Sequence, residues 1–134
     1  MALVDARVEA RLPAQDLARA RRWYADRLGL EPVEEREGGL MYRCAAGVFC
    51  LFRSTGSSSG AFTQLAFTVD DIDAEVSELR SRGVVFEESG IPGLPMVNNI
   101  VEIDDNYPSK GRGERGAWFR DSEGNMLGLG QSVP

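Results

Sequence analysis

The side chains of this chain that could do chemistry are carboxylates, amides and two thiols, because the sequence contains no histidine. Serine–histidine and cysteine–histidine catalysis are therefore excluded by composition. An iron site made of two histidines and one carboxylate is excluded for the same reason. Cys44 and Cys50 form neither a CxxC pair nor part of a cysteine cluster, so a structural zinc site is not expected.

Glu9 is the candidate for a catalytic base. It stands between Arg7 and Arg11, and a solvated or arginine-paired carboxylate is the alternative to a base or a ligand. A carboxylate in a pocket acts as a general base when it reaches the substrate proton and its pKa suits the transfer. Glu102 is a second acid that a metal-free enzyme could use in this way.

Tyr107 and Trp118 are the aromatic candidates for lining a ligand pocket. Tyr107 lies in a glycine-rich stretch, and Trp118 precedes Phe119 on a predicted strand, so the side chains of that pair point to opposite faces. Four phenylalanines on predicted strands are expected to be mostly core residues: Phe49, Phe52, Phe67 and Phe86. Phe52 is also a candidate for contact with a ligand.

The two cysteines flank a predicted hairpin turn at Ala46 and Gly47. A two-residue turn places Cys44 and Cys50 on opposite faces of the hairpin, whereas a change of register by one residue places them opposite each other. Reduced thiols are the expectation for a cytoplasmic protein.

The elements that must position these residues occur twice. Asp16 and Asp71, 55 residues apart, each offer a side-chain oxygen to the start of a helix, and an apolar stripe follows at helical spacing. Gly29 and Gly83 end the two predicted helices, near residues 16–27 and 71–82. Neither half can bury its apolar face alone, so the two halves are expected to pack together.

Strands are predicted on both sides of each helix, from apolar alternation and turn residues. Residues 55–61 are polar and glycine-rich and form the predicted linker. The first module covers approximately residues 5–54 and the second 62–132, within a single domain of residues 1–134. The predicted strands are residues 7–12, 31–35, 40–44, 48–53, 64–69, 84–87, 115–120 and 126–131. Residues 89–99 and 105–114 are predicted loops.

Charge and composition exclude several classes of protein. The net charge is −6 and the arginines are scattered, so the basic patch that nucleic-acid binding needs is absent from the sequence. The apolar runs are short, and no basic leader precedes a hydrophobic stretch. No membrane span or secretory signal is therefore expected, and the chain is predicted to be cytoplasmic.

Two motifs resemble the glyoxalase, bleomycin-resistance and extradiol-dioxygenase superfamily. The first runs from Asp16 through Trp23 and Tyr24 to Leu28-Gly29-Leu30, and the second is the run GAWFRDSEGN at residues 116–125. The resemblance implies an α+β fold of two βαβββ modules, with a curled mixed sheet around a cavity and the helices outside. It also implies a homodimer whose pocket is completed by, or lies close to, the partner subunit.

Enzymes of that superfamily hold a divalent metal on four strands. The corresponding positions are Glu9 and Gln64 on the first strand of each module, and Cys50 and Gly128 on the closing strands. Glycine has no ligand atom, and a thiol beside one carboxylate and one amide suits hard divalent metals poorly. We therefore expect the four positions to meet at the cavity without holding a metal or another cofactor.

The sequence thus predicts a metal-independent protein that binds a small molecule, one use of which would be to sequester an aromatic drug or natural product. The ligand is expected to be aromatic or polycyclic. The alternative is a glyoxalase-like lyase or isomerase, or a dioxygenase-type enzyme, acting on a small organic substrate. The residues predicted to contact the ligand are Glu9, Cys50, Phe52, Gln64, Tyr107, Trp118 and Gly128.

Overall fold

The computed structural model describes residues 2–105 and 111–134, so Tyr107 lies outside the described residues. Each module contributes one helix and a set of strands, and a short 3-10 turn, Leu3–Asp5, precedes the first strand. The first module contains β1 (Ala10–Ala14), α1 (Leu17–Trp23), β2 (Glu34–Arg36), β3 (Gly39–Arg43) and β4 (Val48–Arg53). The second contains β5 (Leu65–Thr68), α2 (Ile72–Ser81), β6 (Met96–Val97), β7 (Ile100–Asp104), β8 (Gly113–Arg120) and β9 (Met126–Val133).

Both helices begin where the sequence predicts. The Asp16 side chain accepts a hydrogen bond from the Arg19 amide at 2.9 Å, and the Asp71 side chain accepts one from the Ala74 amide at 3.1 Å. These caps satisfy donors that a helix start leaves free. The first helix continues as a π turn, Tyr24–Leu28, and ends at Gly29 with a left-handed φ of 69°.

The strands form two mixed sheets, whose topology is the same except that the second has the additional edge strand β6. The first has the order β1-β4-β3-β2, and the second the order β5-β9-β8-β7-β6. In each sheet the first strand of the module runs parallel to its last strand, β1 to β4 and β5 to β9. The α+β fold with a repeated module is therefore confirmed.

The second module departs from the prediction in two places. Residues 84–87 form only a single bridge, Phe86 to Phe119, instead of a strand. Part of the predicted loop at residues 89–99 is the strand β6, which pairs with β7 through a hairpin at Asn98 and Asn99. Both asparagines have positive φ, 54° and 66°, which fits a tight two-residue hairpin turn.

One core joins the modules. The inner faces of both sheets and the buried sides of both helices belong to the same apolar cluster. Phe49 on β4 meets Phe67 on β5 with ring centroids 6.0 Å apart, and Trp23 at the end of α1 stacks on Phe119 of β8 at 6.2 Å. The outer faces of the two sheets therefore point away from this core. Neither described helix is long and apolar enough to cross a bilayer.

Candidate functional site

Strand alternation places two predicted ligand residues on the outer face of the first sheet. On β4, Phe49 and Leu51 are buried in the core, whereas Cys50 and Phe52 point to the other side. Phe52 is 40% exposed, so it is not a core residue. We call the resulting depression, of about 260 Å³, the first-sheet groove. Its lining comprises Glu9, Arg11, Glu34, Arg36, Gly39, Leu40, Met41, Cys50, Leu51 and Phe52.

The charges of the first-sheet groove are paired. Glu9 accepts a hydrogen bond from Arg11 at 3.0 Å, and Glu34 lies 2.8 Å from Arg36. Burial, and then the nearby Glu9 carboxylate, raise the pKa of the Cys50 thiol. Cys50 is thus a neutral thiol at pH 7, and it acts as a small apolar contact in preference to a nucleophile.

The outer face of the second sheet presents Trp118 on a floor of glycine. Trp118 of β8 pairs with Gly128 of β9. A Cβ atom built at Gly128 or at Gly116 would lie 3.4 Å from the indole ring. The indole Nε1 donates a hydrogen bond to Thr63 Oγ1 at 3.0 Å. We call Gly116, Gly128, Thr63 and Trp118 the Trp118 platform.

A second depression, of about 180 Å³, lies beside this platform, and Thr63 and Trp118 form part of its wall. Thr63 and Gly116 are not among the residues that the sequence predicts for the site. Glycines at alternating positions of paired strands are a signal for such a floor, since they let a large ring lie close to the backbone. The depression is lined by Ala61, Phe62, Thr63, Glu87, Ser89, Gly90, Ile91, Trp118 and Met126.

Gln64 uses its amide inside the protein. Its Nε2 donates to Asn125 Oδ1 at 3.1 Å, while its Oε1 accepts from the Met126 amide at 3.0 Å and from Ser58 Oγ at 2.5 Å. The residue therefore fastens the linker to the start of β9.

The predicted site residues thus fall into separate groups. Glu9, Cys50 and Phe52 share the first-sheet groove, and Gly128 and Trp118 share the platform. Glu102 belongs to neither group. On β7 it stands opposite Arg115 of β8 in the strand register, and Arg115 forms an ion pair with Asp73 of α2. Glu102 therefore lies on the side of the sheet that faces α2. Its role as a pocket acid stays a prediction, which neither of these depressions supports.

The two cysteines are free and lie on opposite faces of the β3–β4 hairpin. Cys44 packs against the core on the inner side, whereas Cys50 lines the first-sheet groove. The two-residue-turn alternative is the one that matches the structure.

The run DSEGN at residues 121–125 forms a buried polar network that joins the modules. Asp121 accepts hydrogen bonds from Tyr24 Oη at 2.7 Å, from the Glu123 amide at 2.8 Å, and from the Asn125 amide and side chain, both at 2.9 Å. Asn125 also donates to the Pro13 carbonyl on β1 at 3.0 Å. Burial and the Asp121 carboxylate hold the pKa of Tyr24 well above its usual value, so the phenol stays a donor.

Glu123 completes this network. Its carboxylate accepts two hydrogen bonds from Arg19, each 2.9 Å, and one from the Asp16 amide at 3.1 Å. Burial acts to raise the pKa of Glu123, but the hydrogen bonds from Arg19, Ser122 and Asp16 and the charge of Arg19 outweigh it and lower the pKa to about 2. A two-point guanidinium contact of this kind fixes geometry as well as charge. The network therefore locks α1 to the β8–β9 turn.

The family model for the Glyoxalase/Bleomycin resistance protein/Dioxygenase superfamily matches residues 6–129. The chain belongs to this superfamily. None of the curated protein sequences matches it.

Solved structures of the superfamily share the fold at low identity. A glyoxalase/bleomycin resistance protein/dioxygenase from Alicyclobacillus acidocaldarius is 13% identical, with a TM-score of 0.72 over 97% of this chain and 93% of that one. A bleomycin-binding protein complexed with bleomycin is 21% identical, with a TM-score of 0.66 over 95% of this chain and 98% of that one. A lactoylglutathione lyase from Agrobacterium tumefaciens is 24% identical, with a TM-score of 0.60 over 95% and 93%. Because the identities are below 25%, these structural matches establish the fold of the chain and nothing about its ligand or activity.

The metal positions of the superfamily do not fit a metal in this member. Glu9 is paired with Arg11, and the Gln64 amide is already bonded at both ends. Gly128 offers no donor atom, and the indole of Trp118 lies beside it. Residues 2–105 and 111–134 contain no group of three histidine, cysteine, aspartate or glutamate residues that could hold a metal ion. Magnesium or manganese would need several oxygen ligands.

Proposed function

We propose that this member of the superfamily binds a small aromatic or polycyclic molecule without a metal, and that it holds the molecule instead of converting it. The observation that carries the proposal is the Trp118 platform. A flat indole lies beside Gly128, the position that corresponds to a metal ligand in the superfamily, which supports stacking as the recognition chemistry.

Trp118 is well suited to stacking because its orientation is fixed before a ligand arrives. The glycine floor supports one side of the ring, and the bond to Thr63 restrains its rotation. A ring held in place loses little conformational freedom on binding. Stacking contributes roughly 0.5 to 1.5 kcal/mol beyond apolar burial.

We further propose that the protein is a homodimer. Both sheets direct their inner faces to one shared core, so the first-sheet groove and the Trp118 platform of one chain point away from each other. A second copy can bring the groove of one chain opposite the platform of the other. A site enclosed from both sides would bury far more of a ligand than either open face.

The likeness to a bleomycin-binding protein supports a ligand-holding role, because that relative was solved with bleomycin bound. Sequestration of a drug or of a natural product is the biological use that we propose. The net charge of −6 favours neutral or cationic ligands over anions.

Binding is tested with bleomycin and a panel of planar aromatic compounds, by following tryptophan fluorescence in a Trp23→Phe background that leaves Trp118 as the reporter. We expect a ligand to quench this emission. In the wild-type background, Trp118→Ala is expected to weaken binding about ten-fold or more, measured by calorimetry, whereas Trp118→Phe should retain most of the affinity. A Trp118→Ala protein that melts several degrees lower but binds normally would remove Trp118 from the site and make it a packing residue.

A further inference from the structure

A third depression lies between the modules, on the inner side of the sheets. We call it the inter-module cleft. Its volume is about 150 Å³, and it is separate from the first-sheet groove and from the depression at the Trp118 platform. Its walls come from the end of the first helix, from the residue after β3, and from the sheet and helix of the second module: Leu28, Leu30, Cys44, Phe67, Val69, Glu75, Leu79, Phe119 and Leu129.

The wall of the cleft is apolar except for one residue, Glu75. Leu79, Phe119 and Leu129 form a buried floor. The residues around the opening are only half-buried: Leu28, Leu30, Cys44, Phe67 and Val69. Water finds few hydrogen-bond partners in such a space. An apolar cavity of about this size accepts a single aromatic ring.

Glu75 differs from the other acidic residues of α2. Asp73 is bonded to Arg115 at 2.7 Å, and Glu78 pairs with Arg82 at 3.2 Å. Within the described part of the chain, Glu75 has no ion-pair partner, although it is half-buried at the wall of the cleft. A half-buried carboxylate beside apolar surface gains from a cation that also fills the space.

We propose that the inter-module cleft is a second small-molecule site, which takes an organic cation with a compact apolar body. The apolar part fills the space above Leu79, Phe119 and Leu129, and the ammonium group donates hydrogen bonds to the Glu75 carboxylate. An arylalkylamine with one ring has the size and the charge distribution that this wall requires. The site is independent of the ligand proposed for the Trp118 platform.

Benzylamine is the probe, with benzyl alcohol as its uncharged counterpart. Calorimetry at pH 7 is expected to show that wild-type protein binds benzylamine at least five-fold more tightly than benzyl alcohol. Glu75→Gln keeps the shape of the side chain and should weaken benzylamine at least five-fold. Glu78→Gln on the same helix is the matched control and should bind benzylamine like the wild type. Equal affinities for Glu75→Gln and wild type would overturn the proposal.

The place of binding is tested through Cys44, which lines the cleft. In a Cys50→Ser background Cys44 is the remaining thiol, and benzylamine should slow its alkylation by iodoacetamide. Trp118→Ala should leave benzylamine affinity unchanged, which separates this site from the proposed function. An unaltered alkylation rate at saturating benzylamine, or loss of benzylamine binding in Trp118→Ala, would show that the cleft is not the site.

Discussion

The network around Asp121 and the Trp118 platform both involve β8 and β9, but they differ in burial and in hydrogen bonding. The network is buried, whereas the platform is open. In the network, four hydrogen bonds converge on one carboxylate, and its partners come from both modules. Among the described residues, the platform has a single side-chain hydrogen bond, from Trp118 to Thr63, and its ring is partly exposed. The end of the second superfamily motif, residues 121–125, therefore joins the modules, whereas Gly116 and Trp118 at the start of the same motif lie outside the network and form the platform.

The largest effect is expected at the centre of the network. Asp121→Ala leaves the buried Tyr24 Oη without its acceptor and the Asn125 side chain without one of its two, so we expect a loss of about 3 to 5 kcal/mol in the free energy of unfolding. Ser122→Ala is the neighbouring control. It removes one hydrogen bond to Glu123 and should cost less than about 1.5 kcal/mol. Urea denaturation measures both, and equal losses would contradict a central role for Asp121.

Glu123 makes the stability of the network depend on pH. Its folded-state pKa of about 2 lies below its ordinary value of 4.5. Its contribution to stability is therefore complete above pH 4.5 and declines as the pH falls from about 4.5 towards 2. The size of this contribution is about 3 kcal/mol at most.

Glu123→Gln isolates this contribution from that of Asp73, whose pKa is also lowered, by its hydrogen bond from Arg115. We expect the difference in unfolding free energy between wild type and Glu123→Gln to shrink as the pH is lowered from 6 to about 2.5. Denaturant titrations across this range measure it. A difference that stays constant would mean that Glu123 is not held ionised by the network.

The contrast also explains which features the sequence predicts. Helix caps and ends depend on residues close together in the chain, so Asp16, Asp71 and Gly29 suffice for both helices to be found. The hairpin at Asn98 and Asn99 is missed because β6 has only two residues, too few for a periodic pattern. The only sequence signal for this hairpin is the Asn98-Asn99 pair, because asparagine tolerates the left-handed backbone conformation that the turn requires.

The platform could be predicted only in part. Alternation places Trp118 and Phe119 on opposite faces, which the structure bears out, since Phe119 is buried in the core and Trp118 is not. The contact between Trp118 and Thr63 joins residues 55 positions apart. Local patterns carry no information about such a pair, so the support of the indole becomes visible only in three dimensions.

A smaller effect on stability, with a larger one on binding, is expected when the platform itself is disturbed. Gly128→Glu places a side chain on the same face as Trp118, directly opposite it in the strand pairing. The indole must then leave its floor, at a cost of roughly 1 to 3 kcal/mol in stability. The displaced ring enters water, so tryptophan emission in the Trp23→Phe background should shift to longer wavelength. Affinity for an aromatic ligand should fall about ten-fold or more.

Gly38→Glu is the matched control for this substitution. A Cβ atom at Gly38 has no neighbour within 4 Å among the described residues, and the same charge is added without touching the platform. We expect Gly38→Glu to leave both the emission of Trp118 and the ligand affinity as in the wild type. If Gly128→Glu and Gly38→Glu behave alike, the glycine floor does not position Trp118, and the proposal that the indole is held in place before a ligand binds would be wrong.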